Sequence, residues 1–243
     1  MKTVVIIQAR MGSTRLPGKV MMKLCGKTVL EHVITRVKQA KEIDDIIIAT
    51  TVQGDDNFIV EESKKLGVKF FRGSEEDVLS RYYYAAKEND ADIVVRITSD
   101  CPLIDPKRVD EIIRFYKKYK YDLVTNAGAD LSQRTYPRGL DTEVFSFEEL
   151  ENAYIEAKKD YQREHVTPFI YENSTNIFYY KNDIDYSKHR WTLDTEEDFE
   201  LINRIYEELY NGKHNFYLEE VLELFKRQPN LFNINNYIEQ KKL

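Results

Sequence analysis

Val4-Val-Ile-Ile7, Ile46-Ile-Ile48 and Ile93-Val-Val95 are short runs without a polar residue. A strand that is apolar on both faces fits only a sheet that is covered on both sides, as parallel sheets are. Between these runs lie amphipathic segments long enough to cross back over such a sheet. The first 126 residues therefore read as βαβ units, with strands expected at Thr3–Gln8, Asp45–Thr51, Val68–Phe71, Asp92–Thr98 and Asp122–Asn126. Helices are expected at Thr28–Ala40, where Val29, Leu30, Val33, Ile34 and Val37 form one stripe, and at Phe58–Leu66 and Glu75–Lys87. A fourth crossover runs from Pro106, with Asp105 as a helix start, to about Tyr119.

From Ala127 the pattern changes. Thr142–Ser146 and Asn176–Lys181 look like strands, and Phe147–Lys159 and Gln162–Glu172 like helices, so 127–190 is expected to be an inserted α+β lobe. The chain then returns to helix at Glu196–Tyr210 and Leu218–Lys226. The whole is expected to be one α/β domain of 243 residues, a mostly parallel sheet with helices on both faces, because no Pro/Gly/Ser-rich stretch is long enough to separate two units.

A 42% hydrophobic composition supports a sizeable core, and a formal net charge of −6 argues against nucleic acid or an anionic membrane as partner. The N-terminal apolar run is broken by Gln8 and Arg10, too short for a signal peptide or a membrane span. Cys25 and Cys101 lack metal-type spacing and read as reduced thiols of a cytoplasmic protein.

The most informative segment is Gln8-Ala-Arg-Met-Gly-Ser-Thr-Arg-Leu-Pro-Gly-Lys19, at the carboxyl end of the first strand. It carries three cations, two glycines and two hydroxyls in twelve residues. Gly12 lets main-chain N–H groups approach phosphate oxygens, Ser13 adds a donor, and Arg10, Arg15 and Lys19 supply charge-assisted bonds, so a polyphosphate is the expected ligand. It is not a Walker A loop, because five residues separate the glycines and Val20 follows Lys19 where Ser or Thr is required.

This segment resembles the opening motif of the cytidylyltransferases that activate sugar acids, the CMP-KDO and CMP-acylneuraminate synthetases. It is most similar to their spore-coat polysaccharide biosynthesis protein F branch. Thr98-Ser-Asp-Cys-Pro-Leu-Ile-Asp-Pro106, Pro137-Arg-Gly-Leu-Asp-Thr-Glu143, Arg163-Glu-His-Val-Thr-Pro168 and Arg190-Trp-Thr-Leu-Asp-Thr-Glu-Glu-Asp198 follow the same branch in the same order. The resemblance implies a nucleotide-diphospho-sugar transferase type of fold, CTP as donor, a sugar acid as acceptor, Mg²⁺ as cofactor and a homodimer formed through the inserted lobe. The chain departs from the KDO enzymes at Gln8, where they have proline, and at Thr98-Ser-Asp-Cys-Pro, where they have a Gln-Gly-Asp-Glu-Pro type of segment. These departures bear on the acceptor and, to a lesser extent, on the base, and leave the triphosphate and metal positions unaltered.

Asp100 ends an apolar strand on the same rim as the basic loop, a position suited to a Mg²⁺ ligand completed by phosphate oxygens and water. Asp194 reads from the residues alone either as a metal ligand or as the N-cap of the helix that follows. The resemblance assigns it to the metal. Arg10, Lys19, Asp100 and Asp194 are thus the expected catalytic set, with the metal favouring the attacking alkoxide and the cations stabilising pyrophosphate. Gln8, Ala9, Thr50, Arg72 and Ser74 border the expected place of the nucleobase. Arg138, Asp141, Glu143, Arg163, His165 and Arg190 are the expected acceptor contacts, with Arg138 and Arg163 the leading cations for a carboxylate. Competing readings are a GTP-dependent enzyme acting on a sugar 1-phosphate, a glycosyltransferase, against which the Cys-Pro after Asp100 counts because it breaks an Asp-x-Asp motif, and a nucleotide-binding regulator without turnover.

Overall fold

The computed structural model describes residues 1–128 and 130–239. In chain order the elements are β1 (Thr3–Gln8), β2 (Lys23–Leu24), β3 (Lys27–Thr28), α1 (Val29–Val37), β4 (Asp45–Thr51), α2 (Asn57–Lys65), β5 (Lys69–Gly73), α3 (Val78–Lys87), β6 (Ile93–Thr98) and α4 (Pro106–Lys118). There follow β7 (Leu123–Thr125), β8 (Glu143–Ser146), α5 (Phe147–Glu156), α6 (Asp160–His165), α7 (Pro168–Asn173), β9 (Ile177–Tyr179), α8 (Glu196–Leu209) and α9 (Leu218–Arg227). A 3-10 turn at Pro229–Ile234 closes the described chain.

Seven strands form one sheet in the order β5-β4-β1-β6-β8-β7-β9. β1 lies between β4 and β6, parallel to both, so the chain leaves it in one direction through β4 and β5 and returns on its other side with β6. This is a topological switch point, where loops leaving neighbouring strands diverge and open a crevice. β8 enters antiparallel between β6 and β7, and β9 runs parallel to β7. The strands of the segment expected to form a lobe are therefore stitched into the main sheet, and that segment is continuous with the core.

The apolar runs are buried on both faces, as both-sided cover requires. Val5 and Ile7 pack with Leu30, Val33, Ile34 and Val37 of α1 and Ile112 and Ile113 of α4. Val4 and Ile6 pack on the opposite face with Leu79, Tyr82 and Ala86 of α3 and Phe145 and Leu150. A third cluster joins Leu16 of the basic loop to Trp191, Leu193, Leu201 and Ile205. Helix starts are locally encoded: the side chains of Thr28, Asp77, Ser146 and Thr195 accept a backbone N–H of the first turn of α1, α3, α5 and α8.

The expected helix Gln162–Glu172 is two helices. Pro168 has no N–H and disfavours helical backbone before it, and the chain breaks at Val166, which takes φ 72°.

Gly139 has φ 96°, and a Cβ there would lie 2.5 Å from the carbonyl carbon and oxygen of Trp191. Gly139→Ala is expected to destabilise the fold by about 1–3 kcal/mol, the range for a residue forced into a strained backbone. Urea unfolding with an unchanged midpoint would show that the crossing relaxes without cost.

His32 and His214 form a buried pair, Nδ1 to Nε2 at 2.7 Å, while His32 Nε2 donates to the Leu24 carbonyl at 2.8 Å. Because that carbonyl only accepts, His32 carries its proton on Nε2 and His214 donates to Nδ1. Burial depresses both rings, to about 4 and about 3. Both are neutral in the fold, whereas the unfolded chain binds protons near the ordinary histidine value. Their contribution is therefore complete above about pH 6.5 and is lost as pH falls towards 4, on the order of 3 kcal/mol for His32. His32→Gln should flatten stability against pH in that window, measured by denaturant melts at each pH.

Candidate active site

The basic loop is held in shape by its own neighbours. Asp56, nearly fully buried, accepts the Met11 N–H at 2.7 Å and the Thr51 N–H at 3.3 Å and takes the Thr51 hydroxyl as well. Met11 in turn offers its carbonyl to Ser13 and Gly18, at 2.8 and 3.0 Å, which folds the loop back on itself. Leu16 anchors it in the third core cluster.

This path brings Lys19 between two carboxylates from distant parts of the chain. Its Nζ lies 2.9 Å from Asp100 Oδ2 and 2.8 Å from Asp194 Oδ1, and it also donates to the Leu193 carbonyl at 2.8 Å. Arg15 Nη2 reaches Asp194 Oδ2 at 2.9 Å. Asp100 is fixed from behind by the Thr98 hydroxyl at 2.6 Å, and its own carbonyl accepts the Leu193 N–H at 2.8 Å. Burial alone would lower the Lys19 ammonium, but the two aspartates outweigh it and hold it above its ordinary value. Burial likewise opposes the Asp100 charge, and Lys19 with the Thr98 bond reverses this, leaving the carboxyl below its usual range.

Two carboxylates that touch one ammonium nitrogen are close enough to share one small divalent cation. Mg²⁺ takes one or two carboxylates and completes its octahedron from phosphate and water, which is the donor set that Asp100, Asp194 and a triphosphate on the loop would make. Asp194 is not the helix N-cap; Thr195 fills that place, accepting the Asp198 N–H while Asp198 returns a bond.

Other expected residues fall into two groups. Arg10 and Arg163 face each other across a cleft of about 520 Å³ lined also by Glu75, Glu76, Asp77, Asp160 and Glu164. Arg10 lies 3.7 Å from Glu75, and Arg163 donates to Asp77 Oδ2 through Nε and Nη2, at 2.9 and 2.6 Å. Arg138 lies beside Arg190, whose strand segment it pairs in parallel. Its guanidinium makes no hydrogen bond or ion pair with another side chain among the described residues. Burial, then the nearby Arg134, lowers its pKa, a sign of a cation short of negative partners.

Several expected contacts are engaged by the protein itself. Arg72 spans the Thr51 and Gln53 carbonyls and Asn57, so it clamps the turn after β4. Ser74 accepts the Asp77 N–H, and Ser13 accepts the Leu16 N–H. Asp141 holds Arg134 by two bonds, and Glu143 is buried with Arg96, Thr167 and Tyr171. Arg190, expected at the acceptor, is turned inward to Asp194 and Asp198. His165 ends α6, with its carbonyl accepting the Thr167 N–H.

On the β1 rim, Ala9 donates its N–H to the Ala49 carbonyl, and Gly12 passes close to Glu75. Gln8 Oε1 and Thr50 Oγ1 are buried polar atoms without a hydrogen-bond partner among the described residues.

Sequence reasoning missed Asp56, Asp77, Arg81 and Asn235. Two had a local signal, Asp77 as a helix N-cap and Arg81 as a cation inside the apolar stripe of α3. Arg81 is buried, with Gly73 leaving room for its stem, and Nη1 reaches only the Ala49 carbonyl at 3.5 Å.

The chain matches the family model described as cytidylyltransferase over residues 4–235. It is 31% identical to the spore coat polysaccharide biosynthesis protein SpsF of Bacillus subtilis, over 92% of this chain and 94% of that one. A 3-deoxy-manno-octulosonate cytidylyltransferase of Geobacter metallireducens is 36% identical over 46% of this chain and 44% of its own. The solved structure of a cytidylyltransferase from Leptospira borgpetersenii superposes with a TM-score of 0.90 at 36% identity, covering all of both chains.

Asp56→Ala is expected to release the basic loop and raise the half-saturating nucleotide concentration about tenfold, since a buried acceptor of several N–H and O–H donors contributes ~1–3 kcal/mol. Nucleotide titration followed by tryptophan fluorescence or calorimetry would show it; wild-type affinity would mean that the loop holds its shape without that anchor.

Proposed function

The chain belongs to the cytidylyltransferase family and is a nucleotidyltransferase, and from that premise we propose that it transfers CMP from CTP to a hydroxyl of a sugar acid, releasing pyrophosphate, with Mg²⁺ held by Asp100 and Asp194. The observation that carries this reading is the clasp of Lys19 by those two carboxylates at the switch point of the sheet. Bound Mg²⁺ supplies charge at the phosphate oxygens and favours the ionised form of the acceptor hydroxyl.

The side chains divide the remaining work. When a triphosphate lies on the loop, Lys19 and Arg15 exchange their aspartate partners for phosphate oxygens and, with Arg10, stabilise the charge that builds on departing pyrophosphate. Ser13 and the N–H groups around Gly12 add neutral donors there, while Gln8, Ala9 and Thr50, with Arg72 and Ser74 shaping the neighbouring turns, border the base. Arg138 is the best-supported carboxylate receptor, being half-buried and without a side-chain partner of its own among the described residues. Asp141 and Glu143 hold the surrounding arginines, and Arg163 and His165 face the acceptor from α6.

The B. subtilis relative, a spore coat polysaccharide biosynthesis protein, supports surface polysaccharide as the destination of the product. A homodimer belongs to the same reading; β9, a three-residue edge strand of partly exposed Ile177, Phe178 and Tyr179, supports a contact there. Light scattering on the purified protein checks it. No helix among the described residues is long and apolar enough to cross a membrane.

Pyrophosphate release across four nucleoside triphosphates, with 2-keto sugar acids and sugar 1-phosphates as acceptors, tests the assignment. Release with CTP and a sugar acid is expected; release with GTP and a sugar 1-phosphate, and none with CTP, would overturn it. Asp100→Asn and Asp194→Asn should each lower kcat by about 10² to 10³, as loss of a preorganised charge at a transition state does. Arg138→Ala should raise the acceptor KM ~10- to 100-fold, equivalent to the ~1.5–3 kcal/mol of a charged hydrogen bond, and leave the CTP KM near wild type.

A further inference from the structure

Asp194 is held from two sides. Lys19 and Arg15 approach it from the loop, and Arg190 approaches from the interior, with Nη2 at 2.9 Å from Asp194 Oδ2. In the reading above, the two loop cations leave for phosphate, so Arg190 remains as the group that orients this carboxylate. What orients Arg190 then becomes part of the site.

Arg190 is itself fixed by Asp198, whose carboxylate is fully buried. Arg190 Nε donates to Oδ1 and Nη2 to Oδ2, both at 2.9 Å, and the backbone N–H groups of Asp194 and Thr195 donate to Oδ2 at 3.0 and 3.1 Å. The remaining donor comes from far along the chain. Asn235, itself buried, gives Nδ2 to Asp198 Oδ1 at 2.8 Å and to the Arg190 carbonyl at 2.8 Å. One amide thus secures Arg190 at both ends, its backbone directly and its guanidinium through Asp198.

We propose that Asn235 is a positioning residue for Asp194, acting through Asp198 and Arg190 to aim Asp194 Oδ1 at the cation shared with Asp100. The proposal rests on the assignment of Asp100 and Asp194 to a metal. A buried carboxylate tolerates few vacant acceptor sites. Without Asn235, Asp198 Oδ1 loses one of its two donors among the described residues, and the Asp198–Arg190 pair that carries Asp194 is less tightly fixed. A partner one bond behind a metal ligand, the place Arg190 holds here, sets metal affinity, and Asn235 acts on it from further back, through Asp198 and the Arg190 carbonyl. Such partners do little to the nucleotide's own contacts.

The test is Mn²⁺ uptake by the full chain with saturating CTP, read as loss of the free-ion signal in electron paramagnetic resonance. Asn235→Ala is expected to weaken Mn²⁺ binding about tenfold, the lower end of the range for loss of a partner directly behind a ligand. The concentration of Mg²⁺ that half-activates turnover should rise in step, and the CTP KM at saturating Mg²⁺ should stay within about twofold. Asn235→Ser retains one hydroxyl donor, is expected to fall between, and serves if the alanine variant does not fold. Leu231→Ala loosens the same terminal turn, where Leu231 is packed in the third core cluster, without touching the relay. It should lower stability and leave Mn²⁺ affinity unchanged. Unchanged Mn²⁺ binding in both Asn235 variants would overturn the proposal, as would an equal weakening in Leu231→Ala. Wild-type protein that takes up no Mn²⁺ with CTP would remove the metal assignment itself and this proposal with it.

Discussion

One ammonium group holds three remote pieces of chain together. Lys19 belongs to the loop leaving β1, Asp100 to the end of β6 and Asp194 to the segment before α8, and the three atoms meet within hydrogen-bond distance. In isolation such an arrangement is costly, because each ion gives up water. It is tolerated because each partner has further bonds: the Leu193 carbonyl for Lys19, Thr98 for Asp100, and Arg15 and Arg190 for Asp194. The sheet order makes this meeting possible, since β1 and β6 are neighbours whose loops part at the switch point.

Much of the scaffold was legible from hydrophobic pattern alone. β1 and β4 have the bounds that their apolar runs predict, and α4 begins at the proline after Asp105. These features are local, governed by burial on two faces and by capping. The placement of β8 was not legible, because an antiparallel strand between β6 and β7 is a choice among long-range pairings that the four residues Glu143-Val-Phe-Ser146 do not specify. The break between α6 and α7 was missed although Pro168 signalled it; the apolar periodicity on either side concealed the change of direction.

The site was legible to a different degree. The basic loop announces a polyphosphate by charge and glycine content within one short segment. Asp194 was ambiguous on its own, and only the resemblance and then the geometry separated it from a capping role, which Thr195 takes. The expected roles of Arg72 and Arg190 illustrate the limit of such reading. Sequence marks a cation near a site, but whether its bonds go to a ligand or to neighbouring carbonyls and carboxylates depends on how the fold turns it, towards Thr51, Gln53 and Asn57 for Arg72 and towards Asp194 and Asp198 for Arg190. Asp56 and Asn235 were invisible for the same reason: nothing near them in the chain indicates what they hold.

The third core cluster, in which Leu16 packs with Trp191, Leu193 and the first turns of α8, has a bearing on how such an enzyme can diversify. The donor-handling parts are mechanically one piece, anchored by apolar contacts that run from the opening loop to the last helices. The stretch from about 130 to 166, which carries Arg138 and His165, is joined to the sheet through β8 and the Gly139 crossing and packs Leu150, Ala153 and Val166 into the cluster that holds α3, which leaves its exposed side chains as the part open to change. In the proposed reading, exchange of exposed side chains in that stretch alters which hydroxyl compound is accepted and leaves the loop that takes the triphosphate in place. A scaffold divided in this way permits new products at constant chemistry.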